Sequence, residues 1–297
     1  MTTTSIEWVR NPDGSPGKVW NPVTGCSPVS AGCCNCYGKR FAARFWKGHP
    51  FGDVSCHPER LDEPLTWSKP QRVFTVSMGD LFHPEVPFEF QVEIFNVMAE
   101  ARAAQHTFML LTKRPRVMLA FYERLLKFTA EGMGDGALLG IALEVADGDP
   151  ARAFPNVWVG VSVERQDIAR TRIPVLLQVP AALHFVSVEP CLGPVDLTEW
   201  FRPSCTLCEL PECTGASERE GPCADWKRQR AMGLQWVICG AETGPAARPM
   251  APAWAVALRE QCQAAGIPYF FKRMSGRRPI PPELQVREWP ASGANAV

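Results

Sequence analysis

The chain has 297 residues, with 31 Lys plus Arg against 31 Asp plus Glu, so its formal net charge is zero. That balance argues against a wholly basic, non-specific nucleic-acid binder, and 46% apolar residues exclude a disordered or collagen-like chain. Twelve cysteines are too sparse for a small disulfide scaffold and too many for an ordinary reduced enzyme.

Met1 to Arg10 holds no apolar signal core, and no run approaches 18 apolar residues. No secretory leader and no membrane span are therefore expected, and a cytoplasmic protein is. Thiols stay reduced there, so clustered cysteines read first as metal or cluster ligands.

Taken in chain order, the first expected strand is Lys18 to Val23. Val73 to Met78, Thr107 to Thr112, Val157 to Val163, Leu183 to Val188, Gln235 to Cys239 and Tyr269 to Phe271 follow. These runs are short and apolar nearly throughout, as strands buried on both faces are. Helical periodicity fills the gaps at Phe88 to Ala104, Arg116 to Thr129, Gln166 to Gln178 and Ala253 to Ala265. Gly266 and Pro268 stop the last helix. Such alternation predicts an α/β fold with a parallel barrel or doubly wound sheet. Gly132 to Asp149 reads as a loop insertion. Arg202 to Arg230 reads as a small cysteine-rich knuckle, inserted into one domain spanning 1–297 whose tail is 276–297.

The strand ends are polar: Gly79-Asp80, Thr112-Lys113, Ser162 with Glu164, Glu189, and Glu242-Thr243. In parallel α/β folds the carboxyl ends of the strands carry the site. Five polar ends in one chain favour a shared site over ordinary loop starts.

The sharpest feature is the loop that contains Cys26, Cys33, Cys34 and Cys36, four thiols within eleven residues. A Gly- and Pro-containing loop lets several thiolates converge on one centre, and thiolates are the usual ligands of iron–sulfur clusters and structural zinc. Adjacent Cys33 and Cys34 rarely serve the same ion, so taking Cys26, Cys33 and Cys36 gives three ligands and leaves one spare thiol. Three thiolates on a cubane leave one iron open to a small molecule.

The loop resembles that of the radical S-adenosylmethionine superfamily, closest to its spore photoproduct lyase-like branch. The resemblance lies in Asn21-Pro22, Gly25-Cys26, Cys36-Tyr37 and Lys39-Arg40. The gap between Cys26 and Cys33 is longer than usual, and Asn35 stands where an aromatic is common. A phage- and prophage-associated family with the same three-cysteine loop also has longer gaps. Its later signatures are matched by Val76–Phe82, Leu111–Pro115, Val159–Glu164, Ser187–Pro190 and Cys239–Gly244.

The resemblance implies a partial (β/α)6-type TIM barrel with a [4Fe-4S] cluster on Cys26, Cys33 and Cys36. S-adenosylmethionine would bind the open iron, and an electron donor such as a flavodoxin or ferredoxin would reduce the cluster. One electron would then cleave the sulfonium bond to give a 5′-deoxyadenosyl radical. By position, Ser77 and Asp80 would hold the amino group or ribose, and Lys113 the carboxylate. Ser162 and Glu164 would contact ribose or sulfonium, and Glu189 and Glu242 ribose or substrate. Lone His83 reads as structural.

The remaining cysteines leave alternatives open. Cys205 and Cys208 in a C-x-x-C, with Cys213 and Cys223, suggest a closed zinc site or a second iron–sulfur cluster, or else surface thiols that bind nothing. Cys191 and Cys239, at strand ends, are candidate hydrogen donors or buried structural thiols. Cys56 and Cys262 read as core or loop residues. Basic clusters at Lys113-Arg114-Pro115-Arg116, Lys227-Arg228-Gln229-Arg230, and Lys272-Arg273 with Arg277-Arg278 are solvated faces or a local groove for a nucleic-acid backbone.

The expected partner is modified DNA or a nucleotide, with no membrane. The expected reaction is the isomerisation of N-linked to C-linked glycyl-thymidine in phage DNA hypermodification. The alternatives are a lyase or repair enzyme acting on a pyrimidine adduct, and a non-catalytic zinc protein of a DNA-binding assembly.

Overall fold

The computed structural model describes residues 3–101, 105–130, 154–201, 216–217, 221–222, 233–276 and 278–290. Seven strands form one all-parallel sheet: β1 (Lys18–Trp20), β2 (Arg72–Thr75), β3 (Thr107–Thr112), β4 (Val157–Ser162), β5 (Leu183–Val188), β6 (Trp236–Cys239) and β7 (Tyr269–Phe271). Their order across the sheet is their order in the chain. Crossovers of one hand then place the helices on one side, and the sheet curls into a half-barrel.

The five longer helices between strands, among the described residues, are α1 (Tyr37–Phe45), α2 (Phe88–Glu100), α3 (Pro115–Ala130), α4 (Gln166–Leu176) and α5 (Pro252–Ala265). Four of the five fall where the periodicity places them. The exception is α1, overlooked beside the cysteine loop: its buried residues are only Gly38 and Ala42, and its aromatic period of Tyr37, Phe41 and Phe45 lies on the exposed side. The first predicted strand also divides. Lys18–Trp20 joins the main sheet, while Val23–Thr24 pairs antiparallel with Ser55–Cys56 in a separate ribbon. The second ends early, at Thr75, because Val76 has φ 59. A β-branched residue there is strained, and it directs the chain into the site.

Alternation along each strand divides the core in two. Side chains of one parity, such as Val73, Leu110, Val159, Val186 and Val237, pack under the helices. Those of the other parity line the concave face: Phe74, Met109, Trp158, Phe185, Trp236 and Ile238, joined by Trp8. This aromatic layer closes the lower part of the half-barrel, with Trp8 and Phe74 ring centroids 4.8 Å apart. Each such side chain contributes about 1.5–3 kcal/mol by burial.

The segment read as a tail is built into the fold over its described residues. Arg287 bridges antiparallel to Phe270 on edge strand β7, and the Trp289 indole donates to the Trp8 carbonyl at 3.0 Å. An otherwise open sheet edge is thereby covered.

Candidate functional site

Above the aromatic layer, at the carboxyl ends of the strands, lies a cavity of about 380 Å³. That volume falls in the range of about 300–1,000 Å³ typical of small-molecule sites. Cys26, Cys33 and Cys36 line it, together with Ser77, Asp80, Lys113, Ser162, Glu189 and Glu242. Glu164 sits directly behind, with no exposure to solvent. Cys34 is exposed and does not line the cavity.

Most of these polar strand ends hold the cysteine loop in place. From β4, the Glu164 carboxylate accepts a hydrogen bond from Ser30 at 2.6 Å and ion-pairs with Arg172 at 3.4 Å and Lys113 at 3.6 Å. Gly32 lets the loop come this close, since a Cβ there would lie 2.3 Å from Glu164 Oε1. From β6, Glu242 accepts from Asn35 at 2.8 Å and from the Arg248 guanidinium at 2.5 and 2.9 Å. Arg248 also donates to the Ala31 carbonyl at 2.8 Å. Burial alone would raise the Glu242 carboxyl. The Arg248 and Asn35 hydrogen bonds outweigh that cost and hold it at about 2.

The other side of the loop is fixed from β2 and β3. Asp80 accepts from the Thr112 hydroxyl at 2.7 Å and from the Phe82 and Lys113 amides at 3.1 and 3.3 Å. Its carboxylate thus joins two strand ends at the cavity wall. Arg114 donates to the Ser27 carbonyl at 3.0 Å and hydroxyl at 2.8 Å. His83 Nδ1 accepts from the Glu85 amide, so Nε2–H donates to the Ser27 hydroxyl at 2.7 Å. Burial, then Arg114, lowers the His83 pKa, and the neutral ring acts as a structural prop. The Tyr37 hydroxyl donates to the Ser77 carbonyl. Gly25, at φ 92, completes the approach, since a Cβ there would meet the Asp53 carbonyl at 2.3 Å.

Sequence reasoning missed Ser30, Asn35, Arg114 as a loop clamp, Ser187 and Arg248. Arg248 was the most difficult to foresee: it follows the Glu242 strand end by six residues, in a loop with no periodicity. Lys272, read as part of a basic cluster, instead ion-pairs with Glu189 at 2.5 Å inside the cavity wall.

The three loop sulfurs are free thiols and partly accessible. Burial and the neighbouring Asp80 push the Cys26 thiol up to about 12, so a cationic centre is what would draw out its proton. Among the described residues no three His, Cys, Asp or Glu side chains are gathered tightly enough to hold a single metal ion. A cubane offers each thiolate its own iron and takes ligands farther apart than one ion does. Three accessible sulfurs around one cavity fit such a group as a donor set. Cys205, Cys208, Cys213 and Cys223 lie outside the described residues.

Cys191 and Cys239 do not face the cavity, a correction to the placement expected of them. They are 1% and 0% exposed and belong to the helix-side core, because Cys239 has the outward parity of Val237 on β6. The Cys191 thiol donates to the Gly193 carbonyl at 3.4 Å, and its proximity to Cys239, with burial, holds the Cys239 thiol well above its usual range. Alanine at either position is expected to cost about 1–2 kcal/mol of stability, measured by thermal unfolding.

The fold and cavity define an α/β half-barrel protein whose site is a cysteine-bearing loop held over the carboxyl ends of a parallel sheet. Over residues 3–285 the chain matches the model of a family described as protein of unknown function (DUF5131). The protein belongs to that family. No curated protein and no solved structure matches it. Among the described residues no helix is long and apolar enough to cross a membrane.

Proposed function

We propose that this protein is a radical S-adenosylmethionine enzyme that abstracts hydrogen from a modified nucleobase. The observation that carries the reading is that Cys26, Cys33 and Cys36, and no other described cysteine, line the cavity at the polar strand ends. When bound there, the cluster would supply the electron that cleaves S-adenosylmethionine to the hydrogen-abstracting radical. The chain's own residues position the loop through Glu164, Glu242, Asp80 and Arg114. Lys113 presents a point charge suited to a carboxylate, and Ser162 and Ser187 offer hydroxyls at the cavity wall. Trp8 and Phe74 beneath exclude water from a reactive intermediate.

The preferred reaction is the isomerisation of N-linked to C-linked glycyl-thymidine. Abstraction of the glycyl α-hydrogen leaves a radical stabilised by the adjacent nitrogen and carboxylate. A bond then forms from the α-carbon to the thymine methylene carbon as the nitrogen–methylene bond breaks, and the nitrogen-centred radical left behind takes one electron from the reductant and one proton, so that 5′-deoxyadenosine is released. No net oxidation occurs.

Anaerobically reconstituted protein is expected to absorb near roughly 400 nm, to carry about four irons per chain, and to release 5′-deoxyadenosine from S-adenosylmethionine under reductant. Nucleoside mass spectrometry on DNA that contains N-linked glycyl-thymidine then tests the isomerisation. A colourless protein that binds only zinc overturns the reading.

A further inference from the structure

Helix α1 follows the cysteine loop directly, and its aromatic side chains face outward. Tyr37, Phe41 and Phe45 are 49%, 47% and 55% exposed. Spaced at i, i+4 and i+8, they form one stripe along the helix, while Gly38 and Ala42 form the buried side. The Phe41 and Phe45 ring centroids are 4.5 Å apart. Large apolar groups left in water on one helix face mark an interaction surface.

The surroundings of the stripe are cationic. Arg44 is exposed beside it and Lys47 is exposed just past the helix end, and residues 31–52 contain no Asp or Glu, in a chain of zero net charge. Arg40 leans the other way and donates to the Thr243 hydroxyl at 3.1 Å, at the cavity rim. The stripe is continuous with the site: Tyr37 lines the cavity and bonds the Ser77 carbonyl there, and Phe51, also in the lining, is where a Cβ on Gly38 would collide, at 2.9 Å.

We infer that α1 is a stacking platform for single-stranded nucleic acid, which delivers one base of the strand into the cavity. Exposed aromatic rings offer a face to any base, and flanking Lys and Arg follow the phosphates. An apolar protein partner or a second copy of the chain would gain nothing from the acid-free flanks. The inference rests on the nucleobase reading only for what the cavity does with the base. It implies that the substrate is a polymer rather than a free nucleotide, because the strand is held outside the cavity.

Fluorescence anisotropy with a labelled single-stranded DNA of about 15 nucleotides tests it, with RNA and duplex DNA of the same sequence as further arms. The single strand, as DNA or RNA, is expected to bind more tightly than the duplex. Phe41→Ala with Phe45→Ala should weaken that binding about tenfold or more, and Phe41→Trp should preserve it. Arg44→Ala with Lys47→Ala should reduce the slope of log K against log salt by about 1.4.

Binding that stays within twofold in the double phenylalanine variant, or a parent dimer that dissociates in that variant, overturns the inference. The functional reading is scored separately, by 5′-deoxyadenosine release from the reconstituted protein. Aromatic-dependent binding without that release sinks the functional reading and leaves the platform standing. Release without aromatic-dependent binding does the reverse.

Discussion

Cys26→Ala, Cys33→Ala and Cys36→Ala are each expected to reduce 5′-deoxyadenosine formation to background, while Cys34→Ala leaves it near the parent level. All four thiols share one short loop, so only their placement separates them. Three line the cavity; the fourth is exposed and turned away from it. A three-thiolate cluster has no spare ligand, and each loss removes an anchor that a water cannot replace. The readouts are iron per chain, visible absorbance and product chromatography on anaerobic protein. Serine variants add a control, because an alkoxide is a harder and more basic ligand than a thiolate. They should retain less iron than the parent and more than the alanine variants. An inactive, iron-poor Cys34→Ala protein would mean that the ligand assignment is wrong. Equal iron in all four variants would remove the cluster altogether.

The strands were legible because a buried parallel strand is apolar on both faces, and such runs as Val157–Ser162 have few other fates. The polar strand ends were legible as a group for the same reason, since each interrupts an apolar run. Their individual tasks were not. Nothing local distinguishes Glu164, which ties down a loop 134 residues away, from Glu189, which faces the cavity beside Lys272. Long-range pairing has no sequence period. The parity of a strand end could have been read, however. Counting outward from Val237, Cys239 falls on the helix side, and Glu242 returns to the concave side after the strand has ended. Helix α1 was legible in the i, i+4, i+8 spacing of Tyr37, Phe41 and Phe45, but not the fact that this apolar face is left exposed, because a sequence period does not say which side is buried.

Glu164→Ala is expected to be the most destabilising single substitution at the site. Its side chain is 1% exposed and Arg172 beside it is 8% exposed, so the substitution leaves a guanidinium charge buried without its partner. Breaking a buried pair in this way costs about 3–5 kcal/mol. In thermal unfolding that is a fall of about 10 °C for a chain of this size. Glu164→Gln should be milder, because an amide oxygen still accepts from Ser30 while the charge is lost. Ser30→Ala removes only the neutral half of the contact and should cost about 1 kcal/mol.

The loop consequence is separable from stability. Gly32→Ala introduces a methyl where Glu164 Oε1 lies, so the loop must move from β4 although no charge is removed. Both Gly32→Ala and Ser30→Ala should therefore lower the iron retained on reconstitution, and more than they lower the unfolding temperature. A double-mutant cycle between Ser30→Ala and Glu164→Gln measures the coupling directly, with about 0.5–2 kcal/mol expected for residues that share a hydrogen bond. If Glu164→Ala unfolds within 1 °C of the parent, or if the cycle returns zero, Glu164 does not hold the loop and is left free to contact ligand.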